Sequence, residues 1–134
     1  MQAAAKLPFN ESKGFTYSDY LQWDDDQNWE LINGVVYNMT PAPSRKHQKI
    51  SMELAWRLGR FFSKKNCDVY TAPFDVRFPE EGEPDSKIKN VVQPDISVIC
   101  DKSKLDDQGC KGAPDFIIEI ISPSSVQGDM IEKL

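Results

Sequence analysis

The sequence predicts an α/β (α+β) domain, a mixed β-sheet flanked by helices. Three observations carry that expectation. Asn33-Gly34 stands between the apolar runs 29–32 and 35–37, and a two-residue hairpin turn needs positive φ at both positions, which Asn-Gly supplies. Ile50, Leu54, Leu58 and Phe61 recur at helical spacing, with Ala55 and Phe62 widening the stripe. VVQPDISVIC (91–100) and DFIIEIIS (115–122) are apolar, strand-like runs bounded by polar segments.

The remaining elements follow in chain order. Thr16 with Asp19 resembles a helix N-cap with an acidic first turn, so a short helix is expected over Tyr17 to Trp23, ended by Asp24, Asp25 and Asp26. Trp29–Ile32 and Val35–Tyr37 should pair as antiparallel strands. TPAPS (40–44) is a loop, with Ser44 capping the longest helix, about Arg45 to Lys64. The apolar stripe of that helix should face the core. Cys67–Thr71 and Phe74–Phe78 read as strands broken near Pro73, and PEEGEPDSKIKN (79–90) as a polar, mobile loop. After the strand Val91–Cys100, a polar connection holding Gly109 and Gly112 leads to 115–122, and SPSS then breaks the chain. A helix begins near Asp129, and the sequence stops about one turn into it without a capping glycine or proline. The expectation is one domain over 1–134, flexible over roughly its first 15 residues and truncated in its C-terminal part.

Composition excludes several classes. Forty per cent apolar and 28% charged residues of mixed sign suit a globular chain. No apolar run approaches membrane-spanning length, and the N-terminus lacks the apolar core of a secretory signal. Cys67, Cys100 and Cys110 form no CxxC pair, and reduced thiols in a cytoplasm are the simplest reading. The net charge of −5 divides unevenly: residues 45–65 hold seven Lys/Arg against Glu53, or +6, leaving −11 for the rest. A basic segment on an acidic body suits either a solvated helix face or contact with a phosphate backbone.

Chemistry concentrates in two acids. Asp95 and Glu119 each interrupt an apolar strand, 23 residues apart in the connection between them. That length permits a crossover between neighbouring strands, which would bring the carboxylates together. Singly, an Asp after Pro serves turn hydrogen bonds and a strand Glu faces solvent. As a pair in a low-dielectric setting they need a shared proton or a cation. Oxygen ligands without neighbouring His or Cys suit Mg²⁺ or Mn²⁺, with the backbone carbonyl of Ile120 as a third ligand. Such an ion activates water and stabilises charge on a phosphoryl group. No phosphate-cradling glycine loop is present. Ser122 and Ser124 have no arranged partners for a serine hydrolase, and the cysteines make no zinc site.

These motifs carry a resemblance. Pro94-Asp95 followed by Glu119-Ile120-Ile121 looks like the PD-(D/E)xK nuclease pattern. The ordered set ELING, TPAP with His47, QPDI, GAPDFIIEIIS and Asp129 with Lys133 resembles the Uma-type, restriction-endonuclease-like family more specifically, from about residue 15 to the last residue. The resemblance implies a metal-dependent endonuclease hydrolysing DNA phosphodiester bonds, with Asp95 and Glu119 on the metal. The lysine position of the pattern is Ile121 here; the resemblance implies that Lys133, on the helix of Asp129, takes over that role beside the attacking water. It also implies that Glu30 points to the same site, where the plain alternative is an exposed strand residue. His47, the sole histidine, would contact a phosphate or the edge of the site, with Arg45, Lys46 and Lys49 beside it; the plain alternative is a helix-surface residue. A homodimer covering the open face is expected. Ile121 and the acidic body favour the competing expectation, a catalytically inactive binding or assembly module on the same scaffold.

Overall fold

The computed structural model describes residues 5–6, 14–23, 28–39 and 43–121. Its strands and helices are β1 (Ala5–Lys6), α1 (Tyr17–Tyr20), β2 (Trp29–Ile32), β3 (Val35–Asn38), α2 (Arg45–Phe62), β4 (Asp68–Thr71), β5 (Asp75–Arg77), β6 (Val91–Val92), β7 (Ile96–Ile99), β8 (Leu105–Asp106), β9 (Gly109–Lys111) and β10 (Phe116–Ile118). Seven strands form a sheet in the order β1-β3-β2-β6-β5-β9-β8, and three form a second in the order β10-β7-β4. Among the described residues all pairings are antiparallel except β5 with β9. The mixed sheet with helices agrees with the fold class expected.

Local chemistry explains the elements that match. Thr16 and Asp19 form a capping box, the Asp19 carboxylate accepting from the Thr16 backbone N–H at 3.0 Å. Asn33 and Gly34 adopt φ of 52° and 77° and turn β2 into β3. The Ser44 hydroxyl accepts from the His47 backbone N–H at 3.2 Å, satisfying one of the donors that α2 leaves open at its start.

Several expectations are corrected. Val91–Cys100 is not one strand but two, β6 and β7, in different sheets. The reason lies in the register. β4 faces β7 with Thr71 opposite Ile96, and β5 faces β6 with Val76 opposite Val92. Residues 72–75 therefore oppose only 93–95, four against three. This is a bulge, with Pro73 and Pro94 unable to donate to the ladder; the Ala72 N–H still reaches the Asp95 carbonyl at 3.0 Å. A bulge bends its strand pair and re-aims the side chains at the bend.

The connection 101–115, expected as a loop, holds the antiparallel strands β8 and β9. It returns the chain so that β10 runs antiparallel to β7, not as the parallel neighbour that a crossover makes. The segment 79–90 contains a 3₁₀ turn, Asp85–Lys87, and the fully buried Ile88. Apolar burial anchors that loop to the first core cluster, Tyr17, Leu31, Val36, Ile88 and Val91. The stripe on α2 is only partly covered: Ile50 and Phe61 are exposed, and His47 is the only buried residue of the helix.

The thiols are also corrected. Cys67 and Cys100 are joined in a disulfide, and Cys110 is free and buried. β4 and β7 pair with Asp68 opposite Ile99, so the next facing position sets Cys67 across from Cys100, their Cα atoms 4.1 Å apart. Residues 33 apart in sequence meet only because the sheet pairs them.

Arg77 ties the large sheet together. It is fully buried, with Nη1 donating to Asp85 at 3.1 Å and Nη2 to Asp106 at 2.5 Å, and its guanidinium lies 5.3 Å from the Tyr17 ring centre. Burial alone would raise the Asp106 carboxyl, but the Arg77 hydrogen bond and charge outweigh it and hold the group below the usual carboxylate range. A carboxyl depressed in the folded state stabilises the fold above its unfolded pKa, near 4, and that contribution is lost as pH falls through the lower folded value. Arg77→Met should cost about 2–3 kcal/mol near neutral pH. It should also flatten the acid limb of stability against pH. Urea unfolding at several pH values reads both, and parallel curves for the two proteins would rule out the ion pair as the cause.

Candidate functional site

The bend at 93–95 is where the candidate residues gather. Asp95 is 3% exposed, just ahead of a strand, Ile96–Ile99, that is buried throughout. Its Oδ2 accepts from the Ile120 backbone N–H at 2.7 Å. β10 pairs with β7 as Phe116 with Val98, Ile117 with Ser97 and Ile118 with Ile96. One further step in that register sets Glu119 across from Asp95, just past the last paired residues. Facing residues in antiparallel strands direct their side chains to the same side of the sheet.

His47 enters from α2. Its Nε2 lies 3.3 Å from Asp95 Oδ2, yet among the described residues neither ring nitrogen has a hydrogen-bond partner, and the residue is 7% exposed. The histidine therefore belongs to the interior, not to the helix surface. Arg45, Lys46 and Lys49, in the same first turns of α2, are exposed.

Glu30 is also interior, at 1% exposure, in place of the exposed strand position considered as its alternative. Its Oε2 accepts from the Gln93 backbone N–H at 2.6 Å. Gln93 is held in turn: its side-chain Nε2 donates to the Tyr20 hydroxyl at 2.7 Å and to Asp75 Oδ1 at 3.1 Å. The Tyr20 and Tyr17 hydroxyls donate to the same Asp75 carboxylate at 2.7 and 3.2 Å. Burial, then the Asp75 charge, pushes both phenols above their ordinary pKa, so they stay donors across the physiological range. The network fixes the backbone two residues before Asp95. Sequence reasoning missed Gln93 and Asp75; the Gln93 N–H is a group every non-proline residue carries, so no residue-type signal marks it.

Lys133 and Asp129 lie outside the described residues. Ile121, at the pattern's lysine position, is 48% exposed. Among the described residues no three His, Cys, Asp or Glu side chains are drawn into a ready-made metal cage. Asp95 and His47 are the pair already in contact, and Glu119 stands one register step beyond the ladder. The donor set of two carboxylates and the Ile120 carbonyl suits a hard divalent cation. A cavity of about 430 Å³ beside Tyr70, Phe74, Asp75 and the β8–β9 turn contains none of Asp95, His47 or Glu119. Cavity volume and carboxylate chemistry thus point to different places, and the chemistry is followed, because a buried carboxylate is costly and needs a reason while a surface cavity does not.

A mixed sheet flanked by helices, with a buried acid at a strand bend, a second acid just past the neighbouring strand and the basic start of a helix alongside, is the frame that the comparisons place among nuclease-like folds. The chain matches the model of the Uma2 family, described as "Putative restriction endonuclease", over residues 17–134, and it belongs to that family. It is similar, at 27% identity over 109 residues, to "Uncharacterized protein slr1290" of Synechocystis sp., covering 80% of this chain and 53% of that protein. Its fold is similar to the crystal structure of "a putative nuclease belonging to DUF820" from Anabaena variabilis, with a TM-score of 0.66 and 21% identity over 89% of this chain and 65% of that one. The chain thus spans 53% and 65% of the lengths of these two relatives. No helix among the described residues is long and apolar enough to cross a membrane.

Proposed function

We propose that the chain is the catalytic part of a divalent-metal-dependent endonuclease that hydrolyses phosphodiester bonds in DNA. The observation that supports this reading most is the buried Asp95 at the strand bend, with Glu119 one register step past the end of β10. Asp95, Glu119 and the Ile120 carbonyl are the groups suited to hold Mg²⁺ or Mn²⁺. A bound ion of this kind lowers the pKa of water and offsets charge on a phosphoryl group. The protein's own contribution is to aim these oxygens: the Ile120 N–H fixes one Asp95 oxygen, and the Gln93 N–H fixes Glu30. Arg45, Lys46 and Lys49 offer exposed positive charge in the turns of α2 around His47, where a phosphate backbone would pass. Lys133 is proposed as the ammonium that orients the attacking water. A second copy of the chain is proposed to pack along the edge strand β10 and cover the exposed apolar side chains of Phe116, Ile117 and Ile121 there.

The test is cleavage of supercoiled plasmid in Mn²⁺ and in Mg²⁺. Nicked and linear products that vanish with a chelator are expected. A competing reading, an inactive binding or assembly module, is favoured by the exposed Ile121 where the family pattern carries lysine. Plasmid bound but left intact in both metals would decide for that module.

A further inference from the structure

We infer that His47 is a nitrogen ligand of the same ion, so that the site prefers transition metals such as Mn²⁺ and Co²⁺ to Mg²⁺; this rests on the metal-dependent reading above. The first observation is the state of the imidazole. A histidine 7% exposed with neither nitrogen hydrogen-bonded among the described residues is unusual, because buried polar atoms are nearly always paired and one left unpaired costs about 1–3 kcal/mol. The second is its distance. Nε2 stands 3.3 Å from Asp95 Oδ2, close enough to touch but outside hydrogen-bond geometry. Two ligand atoms on one ion with bonds of about 2.1–2.2 Å subtend roughly 100° at that separation, between the ideal octahedral and tetrahedral angles. The third is the support. Ser44 caps α2 through the His47 backbone N–H at 3.2 Å, so the first turn that carries the imidazole is held in helical geometry.

Ligand chemistry then sets the preference. Carboxylates and carbonyls alone suit Mg²⁺, whereas an imidazole strengthens binding toward the later first-row metals. Replacing one oxygen by nitrogen should favour Mn²⁺ over Mg²⁺ by about tenfold, and Co²⁺ by more, in the Irving–Williams direction.

The chain has one histidine, which makes the test unambiguous in untagged protein. Pulsed EPR of the Mn²⁺-loaded chain should show modulation from a single imidazole nitrogen. Calorimetric titration should give the tenfold Mn²⁺ preference, reduced to about twofold or less in His47→Gln, with Mg²⁺ affinity changed less than threefold. Mn²⁺ that binds, is lost in Asp95→Asn, and shows no nitrogen coupling would overturn the inference while leaving the carboxylate site standing. Mn²⁺ binding indifferent to Asp95→Asn would overturn both. The EPR measurement uses the wild-type chain, so a poorly folded variant does not remove the test.

Discussion

Asp95→Asn should lower the rate of Mn²⁺-dependent plasmid cleavage by roughly 10³-fold or more, the scale on which loss of a group stabilising transition-state charge is felt. The substitution is chosen for shape. An amide oxygen in the place of Oδ2 still accepts the Ile120 N–H, now at 2.7 Å, so the register of β7 with β10 is kept. What is lost is the negative charge that draws an ion into a buried position. Stability without metal should be unchanged or higher, since a carboxylate 3% exposed is a costly group to desolvate. A functional site that lowers the stability of its own fold is a common trade. Equal cleavage by the two proteins would remove Asp95 from the chemistry. A variant that fails to fold would instead make Asp95 a structural residue, and circular dichroism separates these outcomes.

The second large effect concerns the disulfide. Joining Cys67 to Cys100 closes a loop of 33 residues, and in the chain-entropy model a loop of that length stabilises by about 3–4 kcal/mol. That is a large fraction of the roughly 5–15 kcal/mol by which domains are stable. Reduction, or Cys67→Ser with Cys100→Ser, should lower Tm by roughly 9–24 °C, at about 3–6 °C per kcal/mol for a chain between the 60–100- and 150–250-residue ranges. The disulfide lies at the far end of β7 from Asp95, five residues away along the chain, and it fixes the connector between α2 and β4. A compartment that keeps thiols reduced would leave the fold without this cross-link. Thermal unfolding with and without reductant reads the effect directly, and coincident curves would show that the cross-link adds nothing.

The fold was legible wherever the signal was local. Asn33-Gly34 announces its turn because few residues tolerate two successive positive φ angles. Thr16 and Asp19 announce a cap because their side chains reach backbone three residues away. The failures are non-local. VVQPDISVIC reads as one strand from its own residues, and the break at 93–95 exists because the partner strand carries one residue more between paired positions. Cys67 and Cys100 meet for the same kind of reason, across a pairing no spacing rule encodes. Ile88 reads as an apolar residue in a polar loop, and only the core that receives it makes it an anchor.

The site divides along the same line. Asp95 and Glu119 stand out because carboxylates in apolar runs are costly anywhere. Their relation needed the β7–β10 register, which turned out antiparallel. Glu30 and His47 carry no such mark. A Glu in ELING is compatible with solvent, and a His among Arg45, Lys46 and Lys49 looks like part of a wet helix face. Their burial comes from packing against the bend, which the helical spacing of α2 does not contain. Lys133 stays as the sequence left it, since it lies outside the described residues.

The central claim is that Asp95 and Glu119 share one divalent ion. Anomalous diffraction from crystals equilibrated with Mn²⁺ tests it most directly. The account predicts one strong peak within about 2.0–2.6 Å of a carboxylate oxygen from each residue. Density for Mn²⁺ that touches neither carboxylate, or only one of them at full occupancy, would contradict it.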